Sequence, residues 1–359
     1  MSGPVIIDAL PARYGGTAYA AVQLAEHLAD GSAAEIIIVT RGGSLVARGI
    51  HPSSGLRVIE LRPRKRLELA HRISWQASGF LDLVRQTRAS SVLTWSGMLP
   101  RRPEARVVCY LANPVMFERG GAANALRRWA VRRTARTAAH VLAPSHAMAA
   151  LVERTVGTPT EVVPFGVDHT RFRPAPGPGS DLLCVADFYR HKRHDVLLEA
   201  WAALPEPRPR LRLIGDPRVD PPCYRELALR ATGLRSLGEI NFESALQFEE
   251  LLGAYQSARV FVLPSEHESF CLPLLEAQAC GVPAVARDLP ALRETGGEGT
   301  AYIAGDDPRA WAALLHRLLA DNVAHAAARA SGLEHSRGFS WYQTAHALQA
   351  RLLPEAAGG

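Results

Sequence analysis

Two carboxylates with seven residues between them, Glu268 and Glu276, stand out in the second half of the chain. A proline, Pro273, lies between them. Proline suits the first turn of a helix, because its missing N–H would have no partner there. Glycine is the usual residue just past a helix end, and Gly281 occupies that place. The spacing therefore predicts a helix that begins near Pro273, with Glu268 in the loop before it and Glu276 close to its first turn.

The loop and the helix start around these carboxylates could bind a phosphorylated polyol. The backbone N–H groups of Phe270, Cys271 and Leu272 would be donors at the positive end of the helix. Carboxylates accept hydrogen bonds from sugar hydroxyls, and amide donors suit phosphate oxygens. Acidic residues are also common near helix starts for structural reasons alone, since they complement the helix dipole. For either carboxylate by itself, both interpretations stay open.

These groups must be placed at the end of a strand, and the sequence pattern provides such strands. Short apolar runs such as PVIIDAL, EIIIVT and RVFVLPS alternate with amphipathic stretches along the whole chain. Continuous Val, Ile and Leu runs separated by helices predict parallel sheets with helices on both faces. Ligands of such sheets bind beyond the carboxyl ends of the strands, and Glu268 closely follows the run RVFVLPS.

A segment dense in proline and glycine divides the alternating pattern into two halves. It lacks periodicity, so it indicates a linker. We predict an N-terminal doubly wound domain over residues 1–166, a linker over 167–180 and a C-terminal doubly wound domain over 181–339. A final helix at about 340–354 is expected to pack back on the first domain. Two such domains in tandem would face each other across a cleft.

The composition fits a two-domain protein of the reducing cytoplasm. The chain has 359 residues and is 47% hydrophobic, which is enough for two cores of ordinary domain size. No run of about 18 apolar residues occurs, so no membrane-spanning helix is predicted. The start of the chain lacks the features of a signal peptide, and the five cysteines are scattered without a CxxC pair. We therefore expect a cytoplasmic location, without disulfides or a zinc site.

Charge is distributed unevenly between the two halves. Residues 1–165 contain 21 basic and 11 acidic residues, whereas residues 166–359 contain 20 and 24. A basic half suggests an anionic partner such as a phosphate-bearing substrate, a membrane surface or nucleic acid. The 39 arginines against two lysines fit a general arginine bias equally well. Most of the excess comes from two clusters, residues 61–75 and 125–137.

The cluster at 125–137 has helical periodicity. Three of its arginines recur every four residues and would share one helical face. These are Arg128, Arg132 and Arg136, with Trp129 and Arg133 beside them. Such a surface could rest on an anionic leaflet beside a lipid-linked acceptor, bind an acidic soluble acceptor, or simply be solvated. Nucleic acid is not expected, since no aromatic platform or known nucleic-acid module accompanies the charge.

From Glu268 onward the sequence reads E-S-F-C-L-P-L-L-E-A-Q-A-C-G-V-P-A-V. It resembles the E-x7-E segment of retaining glycosyltransferases with the GT-B fold, particularly family 4, which usually reads E-G-F-G-L-P-x-L-E-A-M-A-C-G-x-P-V-V. Ser269 and Cys271 stand at the two glycine positions. Further matches occur in order along nearly the whole chain: RYGGTAYAAVQLAEHLA, APSHAMAALV, VVPFGVDHTRFRP, DFYRHKRHDVLLEAWAAL and FSWYQTAHALQARL. The resemblance implies the GT-B fold, an α/β architecture of two Rossmann-like domains.

The resemblance also implies roles for the two carboxylates. Glu268, together with the N–H groups of Phe270, Cys271 and Leu272, would meet the donor sugar. Glu276 would accept hydrogen bonds from the ribose hydroxyls of the nucleotide. Because side chains replace both glycines of the segment, the pocket for the donor would be narrower than in relatives.

The family neutralises the leaving diphosphate with an arginine and a lysine five residues apart. Lys192 matches the lysine, but Asp187 stands at the arginine position. Arg190 and Arg193 are two alternatives for the second positive charge. Lys192 could also be an ordinary solvated residue at a helix start.

In the first half, Gly15 and Gly16 follow the first apolar run and precede a helix that Thr17 could cap. Their N–H groups could approach the diphosphate or the acceptor, although a tight strand-to-helix turn explains the pair at least as well. No GxGxxG pattern occurs, so a nicotinamide cofactor is not expected.

Three further residues are placed by the resemblance. Phe242 and Glu243 lie where relatives hold the nucleobase. Asn113 takes the place of a histidine found in many relatives. An asparagine can form hydrogen bonds but cannot exchange protons at neutral pH. An ordinary Asn-Pro turn is the structural alternative.

An asparagine at that place agrees with the mechanism favoured for retaining enzymes of this type. The acceptor hydroxyl attacks the face from which the diphosphate leaves, and a phosphate oxygen takes the proton. Catalysis then consists of positioning and charge stabilisation. No DxD pattern occurs, and the Asp306-Asp307 pair indicates a loop and a helix cap. Neither a metal ion nor a cofactor is therefore expected.

The sequence thus predicts a retaining, metal-independent glycosyltransferase that uses a nucleotide-diphosphate sugar. Assembly of cell-surface polysaccharide or lipid-linked glycan is the expected setting, with a sugar-bearing or lipid-linked acceptor, in the cytoplasm or on the inner face of the plasma membrane. Three alternatives stay open: tailoring of a soluble natural product, a GT-B-fold sugar-nucleotide epimerase, and a non-catalytic binding protein. The last would be favoured if Asp187 abolishes phosphate affinity.

Overall fold

The computed structural model of the protein describes residues 3–12, 15–32, 34–51, 53, 55–62, 74–118, 120–177, 179–244 and 246–353. The chain divides into two compact units. The first comprises Met1–Gly166 with Trp341–Gly359, and the second comprises Val167–Ser340. Each unit contains a parallel sheet of its own.

The strands of both sheets follow one another along the chain. In the first unit they are β1 (Val5–Asp8), β2 (Ile36–Arg41), β3 (Leu56–Leu61), β4 (Ser91–Thr94), β5 (Arg106–Tyr110), β6 (His140–Ala143) and β7 (Glu161–Val162). In the second unit they are β8 (Asp181–Val185), β9 (Leu211–Ile214), β10 (Ile240–Glu243), β11 (Ala258–Leu263), β12 (Ala284–Arg287) and β13 (Thr300–Ile303).

Helices fill the connections between strands. The first unit contains α1 (Gly15–Gly31), α2 (Leu45–Gly49), α3 (Gly79–Thr87), α4 (Val115–Glu118), α5 (Ala122–Ala135) and α6 (His146–Val156). The second contains α7 (His194–Ala202), α8 (Pro221–Leu234), α9 (Phe248–Ser257), α10 (Leu272–Ala279), α11 (Pro290–Gly296), α12 (Pro308–Ala320) and α13 (Asn322–Ser336). The last helix, α14 (Trp341–Leu352), belongs to the first unit. Short 3₁₀ turns lie at Arg190–Lys192, Arg235–Leu237 and Gly297–Gly299.

The two sheets share one topology. The first has the order β3-β2-β1-β4-β5-β6-β7, and the second has the order β10-β9-β8-β11-β12-β13. All neighbouring strands within each sheet are parallel. The winding direction changes between β1 and β4 in the first sheet and between β8 and β11 in the second. Ligands of doubly wound sheets bind at such switch points. The predicted fold class, two Rossmann-like doubly wound domains, is confirmed.

The central strands explain why their sequences are continuous apolar runs. All four residues of β1 are buried, as are the first five residues of β2. A strand with helices on both faces has no solvent side, so every position favours Val, Ile or Leu. In the second unit the buried runs of β8, β11 and β12 follow the same rule.

The C-terminal helix α14 packs within the first unit. Its Trp341 and Leu348 are fully buried. The Thr344 hydroxyl donates to the Pro164 carbonyl at 2.8 Å. Near its end, the Arg351 guanidinium donates to the Glu161 carboxylate at 2.8 Å. The chain therefore returns to the first sheet after completing the second.

Candidate functional site

The loop and helix that carry both carboxylates lie at the switch point of the second unit. Strand β11 ends at Leu263, and helix α10 begins at Leu272. Pro273 is the second residue of that helix, where its missing N–H breaks no hydrogen bond. The helix ends at Ala279, and Gly281 follows with φ +72°. The predicted helix, with Glu268 in the loop before it, is confirmed.

Glu268 forms an ion pair with Lys192 across the switch point. The Lys192 Nζ lies 2.7 Å from the Glu268 Oε1, and only 18% and 10% of the two side chains are exposed. Lys192 lies in the 3₁₀ turn that follows β8, and Glu268 lies in the loop that follows β11. The two loops also touch through their backbones, where the Glu266 N–H donates to the His191 carbonyl at 2.8 Å. The switch point thus holds one ammonium and one carboxylate in direct contact.

The ammonium of Lys192 keeps its charge despite its burial. Burial is the largest single influence on its pKa and acts to lower it. The Glu268 carboxylate opposes this by its charge and its hydrogen bond, and Asp187 adds to it, so the pKa of Lys192 is raised overall. Lys192 is therefore positively charged at neutral pH, which suits it to bind a phosphate group.

Glu276 is buried and faces a tyrosine. Its Oε2 accepts a hydrogen bond from the Tyr255 hydroxyl at 2.7 Å. Burial raises the pKa of Glu276 to about 7, although the bond from Tyr255 acts in the opposite direction. Tyr255 lies in α9, and sequence reasoning did not identify it. Its spacing of 21 residues from Glu276 carries no motif that would have signalled the contact.

Cys271 occupies a backbone conformation that favours glycine. Its φ is +89°, whereas side chains rarely adopt positive φ. It is the residue that precedes the first turn of α10, and the resemblance places a glycine there. Burial raises the pKa of the Cys271 thiol well above its ordinary value of 9.0, and the nearby Glu268 charge adds to the effect. The group is therefore a neutral thiol beside the ion pair.

Phe270 and Leu272, predicted to present backbone donors, flank Cys271 at the helix start. Both side chains are buried, with 2% and 5% exposed. The Phe270 ring packs against Phe339 with ring centroids 5.7 Å apart. The Phe270 carbonyl accepts a hydrogen bond from the Thr295 hydroxyl at 2.6 Å. These contacts fix the backbone where the helix begins.

The loop after β8 contains Asp187, which stands where the family has an arginine. Arg190 and Arg193, the two proposed replacements for that arginine, follow it. The Asp187 carboxylate accepts from the Asp216 N–H at 3.0 Å, and burial raises its pKa. Arg190 is exposed and pairs with Glu226 at 2.9 Å. Arg193 contacts three carboxylates, those of Asp195, Glu266 and Asp306, at 3.1, 2.5 and 2.6 Å. Both guanidiniums thus have carboxylate partners here, and their role toward a diphosphate stays a prediction.

Phe242 and Glu243 lie on β10 and have structural partners. The Phe242 ring packs against Phe188 and Tyr224, with centroids 5.6 and 5.7 Å away. The Glu243 carboxylate pairs with the Arg212 guanidinium at 2.7 Å. Their predicted proximity to a nucleobase stays a prediction.

In the first unit, Gly15 and Gly16 are the first two residues of α1 and are exposed. Gly15 has φ +55°, which its lack of a side chain allows. The helix begins earlier than expected, so Thr17 is its third residue and the prediction that Thr17 caps it is wrong. First-turn N–H groups have no partner inside a helix, so Gly15 and Gly16 remain candidate donors.

Asn113 follows β5 and is exposed. Its side-chain oxygen accepts from the Val115 N–H at 3.2 Å, at the start of α4. This is the contact expected of an asparagine in an Asn-Pro turn. Its proposed place beside the transferred sugar stays a prediction.

The Asp306-Asp307 pair forms a loop and a helix cap, as predicted. The Asp307 side chain accepts from the Arg309 N–H at the start of α12. Asp306 instead pairs with Arg287 and Arg193. Within the described ranges, no group of three or more His, Cys, Asp or Glu side chains is arranged to hold a metal ion.

The structure describes one of the two predicted basic clusters and leaves out most of the other. Most of the cluster at 61–75 lies outside the described residues, so the structure gives no account of it. The cluster at 125–137 coincides with α5 and the turn after it. Two of its arginines donate to backbone carbonyls, Arg128 to Met116 at 3.1 Å and Arg132 to Thr155 at 2.8 Å. In the part of the chain that the structure describes, no helix is long and apolar enough to cross a bilayer.

Two protein families match this chain, each over one part of it. The family described as Glycosyltransferase Family 4 matches residues 14–171. The family described as Glycosyl transferases group 1 matches residues 179–321. The two matches follow one another along the chain and together span most of it.

Curated relatives carry the name D-inositol 3-phosphate glycosyltransferase. The protein of Kineococcus radiotolerans is 34% identical over 218 residues, which cover 52% of this chain and 49% of the relative. The protein of Corynebacterium urealyticum is 36% identical over 180 residues, which cover 46% of this chain and 40% of the relative. The matches thus span about half the length of these relatives or less.

Solved structures with the same fold match along nearly the whole chain. Sucrose-phosphate synthase from Thermosynechococcus elongatus superposes with a TM-score of 0.82 at 22% identity, covering 96% of this chain and 97% of the other. Anabaena HepE in complex with UDP-glucose gives a TM-score of 0.82 at 16% identity, covering 98% and 99%. At this level of identity the likeness establishes the fold.

Proposed function

We propose that this chain, which belongs to the GT-B glycosyltransferases of the group 1 and family 4 type, moves a sugar from a nucleotide-diphosphate sugar to an acceptor hydroxyl. One observation carries the proposal. The Lys192–Glu268 ion pair lies at the switch point of the second sheet, beside the first turn of α10. A cation and a helix N-terminus suit a diphosphate, and a carboxylate suits sugar hydroxyls. A protein with the same fold, Anabaena HepE, was crystallised in complex with UDP-glucose.

In the proposed mechanism Lys192 holds the leaving diphosphate. Its raised pKa keeps the ammonium charged, so it can neutralise the negative charge that develops as the glycosidic bond breaks. Glu268 would exchange its contact with Lys192 for the hydroxyls of the donor sugar. The N–H groups of Phe270, Cys271 and Leu272 would face the same sugar, since they lie at the helix start.

The nucleoside end of the donor would lie against Glu276. Tyr255 engages one oxygen of that carboxylate at 2.7 Å and so fixes its orientation. The carboxylate would then accept hydrogen bonds from the two ribose hydroxyls. Phe242 and Glu243 would lie toward the base.

The transfer would retain the configuration at the anomeric carbon. The acceptor hydroxyl attacks from the face on which the diphosphate departs, and a diphosphate oxygen takes its proton. Asn113 has no proton to exchange at neutral pH, which suits a mechanism without a protein base. Charge stabilisation would come from Lys192 and the start of α10 rather than from a metal ion, so activity in the presence of EDTA is expected.

The acceptor is proposed to be a sugar-bearing or lipid-linked glycan, in cell-surface polysaccharide or glycolipid assembly. The basic first half of the chain would then favour an anionic membrane surface. A second candidate is a soluble phosphorylated polyol, because the curated relatives are named for D-inositol 3-phosphate. The same basic residues would serve a phosphate group.

A donor panel tests the proposal directly. The purified chain is incubated with UDP-, GDP- and ADP-sugars in EDTA, and released nucleoside diphosphate is measured with and without candidate acceptors. Acceptor-dependent release supports transfer, and proton NMR of the product reports whether the anomeric configuration is retained. Formation of a free 2-epimer would instead identify an epimerase. Binding of a nucleotide sugar without any turnover would identify a non-catalytic binding protein.

A further inference from the structure

Helix α5 presents two large apolar side chains to solvent. Leu126 is 66% exposed and Trp129 is 59% exposed. They are three residues apart, so they lie on the same side of the helix. The helix packs on its unit through the opposite side, which buries Val131, Thr134 and Ala135. We infer that the Leu126–Trp129 face of α5 is the surface on which the protein binds an anionic membrane.

The pairing distinguishes this face from other exposed apolar residues. Among the residues that the structure describes, the other exposed large hydrophobic side chains lie one to a helix. These are Leu45 on α2, Leu229 on α8, Val323 on α13 and Tyr342 on α14. Single exposed apolar residues are ordinary on protein surfaces and need no ligand. Two of them one helical turn apart, one being tryptophan, form a small apolar patch.

Positive charge borders the patch toward the C-terminal end of α5, and α5 provides no negative charge. The sequence of α5, AANALRRWAVRRTA, contains four arginines and no acidic residue. Arg132 and Arg133 follow Trp129 by three and four residues, so they lie on its side of the helix, and both are exposed. Arg136, which follows the helix, is exposed as well. The patch is therefore apolar at its centre and cationic at its edge.

The structure places the apolar pair beside the arginine row that periodicity suggested. Arg128 donates to the Met116 carbonyl and is half-buried, whereas Arg132 donates to the Thr155 carbonyl and stays exposed. Arg132 and Arg133 therefore supply exposed positive charge beside Trp129. Leu126 and Trp129 add the apolar anchors that a purely electrostatic surface would lack.

An anionic membrane fits this surface better than a protein does. Tryptophan is enriched at the membrane interface, where its ring meets the acyl chains and its N–H meets headgroups. Arginines beside it can extend their guanidiniums to anionic headgroups while their stems lie along the apolar surface. A stable protein interface buries roughly 800 Å² per partner and is depleted of charge at its core. Two apolar side chains bordered by arginines do not form such a core.

The inference depends on the proposed function in one respect only. If the acceptor is lipid-linked, membrane binding would bring the protein to it. Membrane binding itself can be measured without any transfer. The full chain is sedimented with vesicles of phosphatidylcholine alone and of phosphatidylcholine with phosphatidylglycerol. We expect binding to the second kind only, and we expect salt to weaken it.

Three variants separate the contributions of the face. The double variant Leu126→Ser with Trp129→Ser should weaken vesicle binding roughly tenfold or more, because both apolar anchors are lost. The variant Arg133→Glu should weaken it by a comparable factor, since it removes one positive charge and adds a negative one. Leu229→Ser is the matched control, because Leu229 is equally apolar, 75% exposed and located on the other unit. It should bind vesicles like the unaltered chain.

The possible outcomes are distinguishable. If the unaltered chain does not bind anionic vesicles, or if the double variant binds them unchanged, the inference is overturned. It is also overturned if the double variant instead abolishes a dimer seen by gel filtration, since the face would then be a self-interface. Release of nucleoside diphosphate with a soluble acceptor tests the proposed function separately. Vesicle binding without that release would refute the transferase proposal while leaving the membrane face intact.

Discussion

The loops after β8 and β11 in the second unit and those after β1 and β4 in the first occupy equivalent topological positions, but their contents differ. In the second unit the position holds the buried Lys192–Glu268 ion pair. In the first unit the described residues at this position include the buried Asp8 and a stack of aromatic rings. Trp95 directly follows β4 and stacks on Tyr110 and Phe165, with centroids 5.4 and 6.2 Å away.

This difference separates what the fold provides from what the loops provide. Both sheets offer a switch point, because both have the same strand order over six strands. Among the described residues, only the second switch point holds a cation paired with a carboxylate, Lys192 with Glu268. In the first unit the stacked rings stabilise the junction with α14, whose Trp341 packs on Phe165 at 5.8 Å. Topology therefore indicates where a ligand could bind, and the loop residues decide whether one does.

The largest effect is expected from Trp95→Ala, which tests the structural side of this comparison. Trp95 is 5% exposed, and truncating a buried tryptophan costs about 3–5 kcal/mol in the free energy of unfolding. Chemical denaturation would measure the loss. Because no charge of the second unit is touched, nucleotide affinity of the folded fraction should stay unchanged. A selective loss of nucleotide affinity with normal stability would place Trp95 in the donor site and end the comparison.

Lys192→Ala tests the chemical side. Removing the ammonium proposed to hold the leaving diphosphate should lower turnover roughly 100-fold or more. The substitution also leaves Glu268 buried without its partner, so some stability is lost as well. Glu268→Gln combined with Lys192→Ala removes both charges and serves as the control for that loss. If the double variant regained stability and turnover together, Lys192 would be a structural residue.

Glu276→Gln should raise the free energy of unfolding and weaken nucleotide binding. Trp95→Ala, in contrast, should lower the free energy of unfolding and leave nucleotide binding unchanged. The folded protein holds a proton on Glu276 up to about pH 7, whereas the ordinary pKa is 4.5. The free energy of unfolding therefore falls as the pH rises from about 4.5 to about 7 and then levels off. Gln removes this cost, which is roughly 3 kcal/mol at pH 8 by the size of the shift.

Denaturation of the unaltered chain and of Glu276→Gln at pH 5 and pH 8 would measure the difference. It should be large at the higher pH and small at the lower one. Nucleotide affinity should fall by roughly 1–3 kcal/mol, because hydrogen bonds to a charged acceptor are lost. Equal nucleotide affinity in both proteins would remove Glu276 from the donor site, whatever its effect on stability.

The sequence predicted what depends on local pattern and could not predict what depends on long-range contact. Apolar runs and the Pro273 helix start specified the two sheets and the position of Glu268 at a strand end. The contact of Tyr255 with Glu276 joins two helices, and no spacing rule signals it. The ion pairs of Arg193 with Glu266 and Asp306 likewise form only when separate loops meet.

Helix α5 shows the same limit on a surface. Its periodicity placed Arg128 and Arg132 on one face, and both donate to backbone carbonyls, although only Arg132 stays exposed. Periodicity does not reveal which side of a helix packs inward, because that depends on the apolar partners available in its unit. Because Val131 and Ala135 pack inward, Leu126 and Trp129 are exposed. The count of arginines did not indicate this apolar pair.

The smallest expected effect concerns Cys271, whose backbone lies beside the ion pair in a conformation that favours glycine. At φ +89° a side chain is strained, and Cys271→Gly should relieve about 1 kcal/mol, less the packing lost with the thiol. Cys271→Ala keeps the Cβ, so it should lose packing without relief. Denaturation should therefore rank Gly above Ala. The wider donor pocket should also lower KM for the bulkier nucleotide sugars in the glycine variant alone. If alanine matched glycine in both measurements, the Cβ would be harmless and the strain at this loop would have no bearing on the donor.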